Sequence, residues 1–173
     1  MPPSLPQLDL DGTGYCASFN FRRTARAITR MYDDAFRDTR IRSTQFTILI
    51  AVAKSQPSSI SKLASILLVD STTLTRTLAK LQKQGLLTVS KRAERRQRFV
   101  SLTDAGVKVL EESLPGWRVA HERFVKTVGA DFWLGFRREL ERLAFVAVDL
   151  NATDGESNLN PGSRHSIPAT TKT

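Results

Sequence analysis

The hydrophobic pattern changes its period at Gly85, and this limits the fold more than any other feature of the 173-residue chain. Before it, SSISKLASILLVDSTTLTRTLAKLQKQG places Ile60, Leu63, Ala64 and Leu67, then Leu74, Leu78 and Leu81, at helical spacing. After it, LLTVSK and RFVSLT alternate as strands do, joined by the basic turn RAERRQ. The first run reads as two short helices, with Ser58 or Ser59 capping the first and Leu68 to Asp70 turning the chain. Gly85 stops the second helix. Two short helices and a tight turn make a helix-turn-helix, crossing closely at the small Ala64, and the attached hairpin makes it a winged helix. Val89, Phe99 and Leu102 are expected to face the core.

Longer helices flank this unit. Phe21, Ala25, Ile28, Tyr32 and Ala35 form one stripe of a first helix, about 15 to 38, with Arg22, Arg26, Arg30 and Asp33 opposite and Phe19 left among the charges. A second helix, roughly Thr44 to Lys54, is apolar nearly all round and should be central. Thr103 is a natural N-cap for the helix that LTDAG opens, whose stripe is Leu110, Leu114, Trp117, His121 and Phe124 and which should bend at Pro115. A last helix, about Asp131 to Leu150, puts Trp133, Phe136, Leu140, Leu143 and Ala147 on one side. The first helix and the last two carry more apolar surface than a small winged helix can cover, so a homodimer interface is expected. The fold class is mainly α with a small β-hairpin wing: a winged helix-turn-helix with N- and C-terminal dimerisation helices. The expected layout is a disordered tail at 1–14, one domain at 15–150 and a disordered tail at 151–173. Within the domain, 15–42 and 104–150 serve dimerisation and 43–103 the winged helix.

Charge points to an anionic partner. The formal charge is +9, and between Ser71 and Arg98 eight cations face one acid, Glu94. No apolar run is long enough to span a membrane, and MPPSLPQLDLDGTG lacks the basic start and apolar core of a signal peptide, so a cytoplasmic location is expected. The single cysteine, Cys16, can form neither an intramolecular disulfide nor a thiolate metal site. One Cys and two His, without HExxH, GxSxG or P-loop patterns, point away from an enzyme, and no metal or cofactor is expected.

VDSTTLTRTLAKLQKQG carries five hydroxyls within Ser71–Thr77, an unusual start for a helix. At about 100° per residue, a core-facing Leu74 turns Thr72, Arg76 and Lys83 directly outward, with Thr73 and Lys80 on one flank and Thr75 on the other. Some of the hydroxyls, or Asp70, serve as caps. The others, with Arg76 and Lys80, make a face suited to a DNA major groove, where short hydroxyls approach phosphates and base edges and Arg pairs with guanine. The candidate DNA contacts are Ser71, Thr72, Thr73, Thr75, Arg76 and Lys80 on the helix and Lys91, Arg92, Arg95, Arg96 and Arg98 at the wing. A wing-tip arginine can enter a narrow minor groove, and Glu94 is placed to brace Arg96.

These residues resemble the MarR (multiple antibiotic resistance regulator) family over about Cys16 to Trp117: RRTARAITRMYDDAF, TQFTILIAVA, SISKLASILLVDSTTLTRTLAKLQKQGLL, the acid-x-Arg wing and LTDAG. The resemblance implies a winged-helix homodimer whose second helices enter major grooves of double-stranded DNA at a pseudo-palindromic operator. It implies a repressor released by a small molecule or an oxidant. It carries a recognition role to Ser71, Thr72, Thr73, Thr75 and Arg76 and a minor-groove role to Arg96. The wing acid is Glu94 where the family usually has Asp, and Leu68 stands where helix-turn-helix turns often have Gly.

Any effector pocket should lie between the dimer helices and the winged helix, with Tyr32, Trp117 and His121 as candidate contacts for a small aromatic or phenolic ligand. Some family members sense peroxide through a cysteine early in the first helix. Here Asn20, Tyr15 and Tyr32 do not reproduce that tyrosine spacing, so a buried, inert Cys16 at the dimer interface is expected. A redox regulator acting through Cys16 and a sequence-independent architectural protein are the alternatives.

Overall fold

The computed structural model describes residues 9–91 and 97–157. A short 3₁₀ turn, Thr13–Tyr15, precedes α1 (Ala17–Ala35) and α2 (Ser43–Ser55). Then come β1 (Ser58–Ser59), α3 (Ile60–Leu67), α4 (Ser71–Lys83), β2 (Leu87–Lys91), β3 (Arg98–Leu102), α5 (Asp104–Val128) and α6 (Ala130–Ser157). The chain forms two compact units, 1–122 and 123–173.

In the first unit, Leu49 and Val52 of α2, Leu63 of α3, Leu74, Leu78 and Leu81 of α4, Leu87 of β2 and Val100 of β3 form the fully buried centre. Burying one such leucine contributes about 1.5–3 kcal/mol. The leucine stripe of α4 therefore anchors the helix by one face and leaves its outer face to solvent. α2 is central as its composition requires, with Phe46, Leu49 and Val52 buried.

The sheet has three strands in the order β1-β3-β2, all antiparallel. β1 has only two residues, too few to leave a period in the sequence, and it pairs Ser58 with Val100 and Ser59 with Phe99. The register Leu87↔Leu102 and Val89↔Val100 puts those four residues on one face. Phe99 lies on the opposite face, which corrects its expected place in the core: residues 99 and 102 are an odd number apart, and the pleat sends them to opposite sides. Val100 is the buried residue.

The local joints are polar. Ser59 Oγ accepts from Lys62 N–H at 3.2 Å and caps α3. Thr103 Oγ1 accepts from Gly106 N–H at 3.0 Å, capping α5, and donates to the Gly85 carbonyl at 2.6 Å. Leu68 takes the left-handed conformation (φ 51°) that ends α3, so the turn forms without the glycine often found there, at a local cost of about 1–2 kcal/mol. Helix α5 runs through Pro115. Helix α6 extends to Ser157, so residues 151–157 belong to a helix and not to the expected tail: neither Pro nor Gly interrupts the chain from Phe136 to Asp154.

The end of α1 is tied to the start of α2 by Asp33, whose Oδ1 accepts from Ser43 N–H at 2.7 Å and whose Oδ2 lies 3.9 Å from Arg42. The Ser43 amide first, with smaller help from the Ser43 hydroxyl and Arg42, holds this carboxyl below its ordinary value of 3.8. A group depressed in the folded chain stabilises above its unfolded pKa and loses that contribution as the pH falls through its folded pKa. Asp33→Asn should therefore melt below the wild type at pH 7, and the gap should close as the pH drops below about 4. Melting curves from pH 7 to pH 2.5 check this.

Candidate nucleic-acid interface

Helix α4 begins at Asp70, whose Oδ1 accepts from Thr73 N–H at 2.8 Å. Hydrogen bonds from the Thr73 side chain and then its backbone hold the Asp70 carboxyl below its ordinary value. The cap is thus the aspartate, and a carboxylate at the positive end of the helix adds a favourable dipole interaction.

The five hydroxyls divide into two groups. Thr75 Oγ1 donates to the Ser71 carbonyl at 2.6 Å, Thr77 Oγ1 to the Thr73 carbonyl at 3.1 Å, and the Thr73 hydroxyl bonds to Asp70. Ser71 and Thr72 are exposed, and their hydroxyls have no hydrogen-bond partner among the described residues. Arg76, Lys80 and Lys83 are also exposed and make no ion pair among the described residues. Opposite the leucine stripe, α4 thus presents the free Thr72 hydroxyl and three unpaired cations, with the free Ser71 hydroxyl beside them at the exposed N-terminal end. Electrostatics and donor capacity both suit a polyanion.

At the far end of α4, Gln84 Oε1 accepts from Gln45 Nε2 at 3.0 Å, while Gln45 Oε1 accepts from Arg42 N–H at 3.0 Å. The start of α2 therefore holds the end of α4. The wing follows, with Lys91 and Arg98 paired across β2 and β3. Arg98 is exposed. Arg92, Glu94, Arg95 and Arg96 lie outside the described residues.

A second group of expected residues does come together. Tyr32 Oη and His121 Nδ1 are 3.1 Å apart, a hydrogen bond joining α1 to α5. Trp117 stacks on His121 with ring centroids 5.0 Å apart at 8° and reaches Phe46 at 6.3 Å. Burial pushes the Tyr32 hydroxyl pKa up. Sequence reasoning missed what brings the helices so close: a Cβ on Gly116 would stand 2.6 Å from the Ala35 carbonyl oxygen. A glycine inside a helical pattern was the available signal. A cleft of about 420 Å³, lined by Arg40, Gln84, Leu86, Ala105, Lys108, Val109 and Glu112, opens elsewhere on this unit and includes none of the three aromatic-cluster residues.

Cys16 is exposed in the single chain, at the N-cap position of α1, where burial against a second copy was expected. The described residues hold no group of three or more His, Cys, Asp or Glu that could bind a metal ion, and no described helix is long and apolar enough to cross a membrane.

The family model for MarR matches residues 41–97. Among solved structures, the chain is similar to the M. tuberculosis transcriptional regulator MosR in complex with DNA, at 32% identity and a TM-score of 0.72, covering 78% of this chain and 98% of that one. A MarR mutant from E. coli complexed with operator DNA shares the fold at 20% identity and a TM-score of 0.70, covering 79% and 99%. CouR from Rhodococcus jostii, bound to p-coumaroyl-CoA, shares it at 17% identity and a TM-score of 0.64, covering 81% and 96%. No curated protein matched in sequence.

Proposed function

The chain belongs to the MarR family of DNA-binding transcriptional regulators, and from that footing we propose that it is a homodimeric repressor, released from a pseudo-palindromic operator by a small ligand. The observation that carries this reading is the outer face of α4: free hydroxyls on Ser71 and Thr72 and unpaired Arg76 and Lys80, set on a helix whose other face is locked into the core. In this reading α4 lies in the major groove, and Lys91, Arg92, Arg95, Arg96 and Arg98 follow the backbone and the minor groove, with Glu94 bracing Arg96.

Dimerisation is supported by the surface of the flanking helices. No residue of α1 is buried, and α6 exposes Phe132, Leu134, Phe136, Leu143 and Phe145. These exposed apolar side chains on each element are ones that a second copy would cover. A cytoplasmic location follows from a chromosomal target. For the effector, the Tyr32–His121 pair and the Trp117 ring offer a polar anchor beside flat apolar surface, which suits an aromatic acid or phenol.

The direct test is anisotropy titration with duplex DNA from the region upstream of the chain's own gene. A dimer should protect two half-sites about one helical turn apart. Its affinity should fall on the order of 10³–10⁵-fold between 50 and 200 mM salt if six to ten phosphates are contacted. Binding indifferent to DNA sequence at every salt concentration would overturn the repressor reading.

A further inference from the structure

Threonine occurs in α4 in two different chemical states. Thr72 lies two residues before the buried Leu74, on the side opposite the leucine stripe, and its hydroxyl has no partner among the described residues. Thr75 lies one residue after Leu74, on the flank of the outer face and half-exposed, and its hydroxyl donates to the Ser71 carbonyl at 2.6 Å. A hydroxyl has a single proton. With that proton held by the helix's own backbone, Thr75 cannot donate to purine N7 or to guanine O6. What it can offer a groove is its γ-methyl group, with the oxygen lone pairs as a lesser alternative.

Thymine is the base that carries a methyl group into the major groove. We propose that Thr75 is a specificity-determining residue that reads a thymine 5-methyl by apolar contact, while Ser71, Thr72 and Arg76 supply the hydrogen-bond donors of the same face. This rests on the placement of α4 in the major groove proposed above. It divides the labour along the first turns of the helix: donors at the outward Thr72 and Arg76 and at Ser71 of the exposed N-terminus, a methyl on the flank. It also explains why a residue with a hydroxyl can sit beside bases and still discriminate by shape. Thr77, on the other flank and nearer the leucine stripe, has its hydroxyl held in the same way by Thr73. It is turned further from the groove than Thr75.

The test uses the full-length protein and the duplex it selects from a random pool, with deoxyuridine replacing thymidine one position at a time. Uracil keeps every hydrogen-bonding group of thymine and lacks only the methyl. At one position in each half-site the wild type should lose about fourfold in affinity, the effect of exposing one methyl group. Thr75→Val, which keeps the methyl and removes the hydroxyl, should show the same penalty at that position. Thr75→Ser, which keeps the hydroxyl and removes the methyl, should bind the thymidine and deoxyuridine duplexes equally. If no position is sensitive in the wild type, or if Thr75→Ser keeps the penalty, the methyl contact is refuted. If Thr75→Val loses discrimination and Thr75→Ser keeps it, the thymine methyl is sensed through the Thr75 oxygen and not through its γ-methyl, and the proposal fails. Arg76→Ala, measured alongside, separates these failures from that of the groove placement: its affinity falls if α4 faces DNA and stays unchanged if it does not.

Discussion

Gly106→Ala should lower the stability of the chain by about 3 kcal/mol or more, within the upper range for overpacking against a rigid neighbour. For a chain of this size that corresponds to roughly 6–12 °C in the melting midpoint. A Cβ at position 106 would overlap the backbone carbonyl of Leu86, and the obstacle cannot swing aside as a side chain would. The Leu86 oxygen also accepts from Thr103 N–H at 3.2 Å, and Thr103 in turn holds both Gly85 and Gly106. Leu86 and Leu87 are themselves buried. The first turn of α5 and the start of β2 are thus locked at one point, and an added methyl must break either the cap or the strand. Thermal denaturation at fixed protein concentration measures the effect. An unchanged midpoint would mean that α5 can move away from β2 without loss.

Arg76→Ala should weaken operator binding by about 1–3 kcal/mol, roughly 5- to 150-fold, and relax the base preference at one position in each half-site. Arg76 is exposed, unpaired among the described residues and two residues beyond the buried Leu74, so its loss should leave the melting midpoint nearly unchanged. Arg96→Ala is the contrasting variant. A cation that follows phosphate or groove width should lose affinity evenly across sequences and reduce the salt slope by about one. Titrations of both variants against the selected duplex and single-base variants of it, at two salt concentrations, distinguish the roles. Equal, sequence-independent losses in both would show that Arg76 touches only backbone.

Much of this architecture was legible in the sequence because α2, α3 and α4 have apolar periods long enough to count. The leucines at 74, 78 and 81 fixed which way α4 faces, and the outward positions of Thr72 and Arg76 followed from geometry. What the sequence left open was the state of each hydroxyl. A threonine looks the same whether its proton goes to a partner or to the carbonyl four residues back, and only the side-chain geometry in the folded helix separates Thr75 from Thr72. β1 was invisible because two serines have no alternation to display. Phe99 was misplaced because hydrophobicity alone does not set register, whereas the pairing of Val89 with Val100 does. In the second candidate site, the stripe on α5 pointed to Trp117 and His121, but the bond to Tyr32 depends on a helix crossing that no local pattern encodes.

The internal hydroxyl bonds of α4 also have an entropic consequence. A side chain that turns freely in the unbound protein must give up its rotamers when a partner immobilises it, and that loss subtracts from affinity. Thr73, Thr75 and Thr77 have already lost most of this freedom to Asp70, Ser71 and Thr73 within the helix itself. Under the proposed placement of α4 in the major groove, this face would meet DNA with only Ser71, Thr72 and the long cationic side chains still to be ordered. In the proposed dimer that saving would count twice, once in each groove.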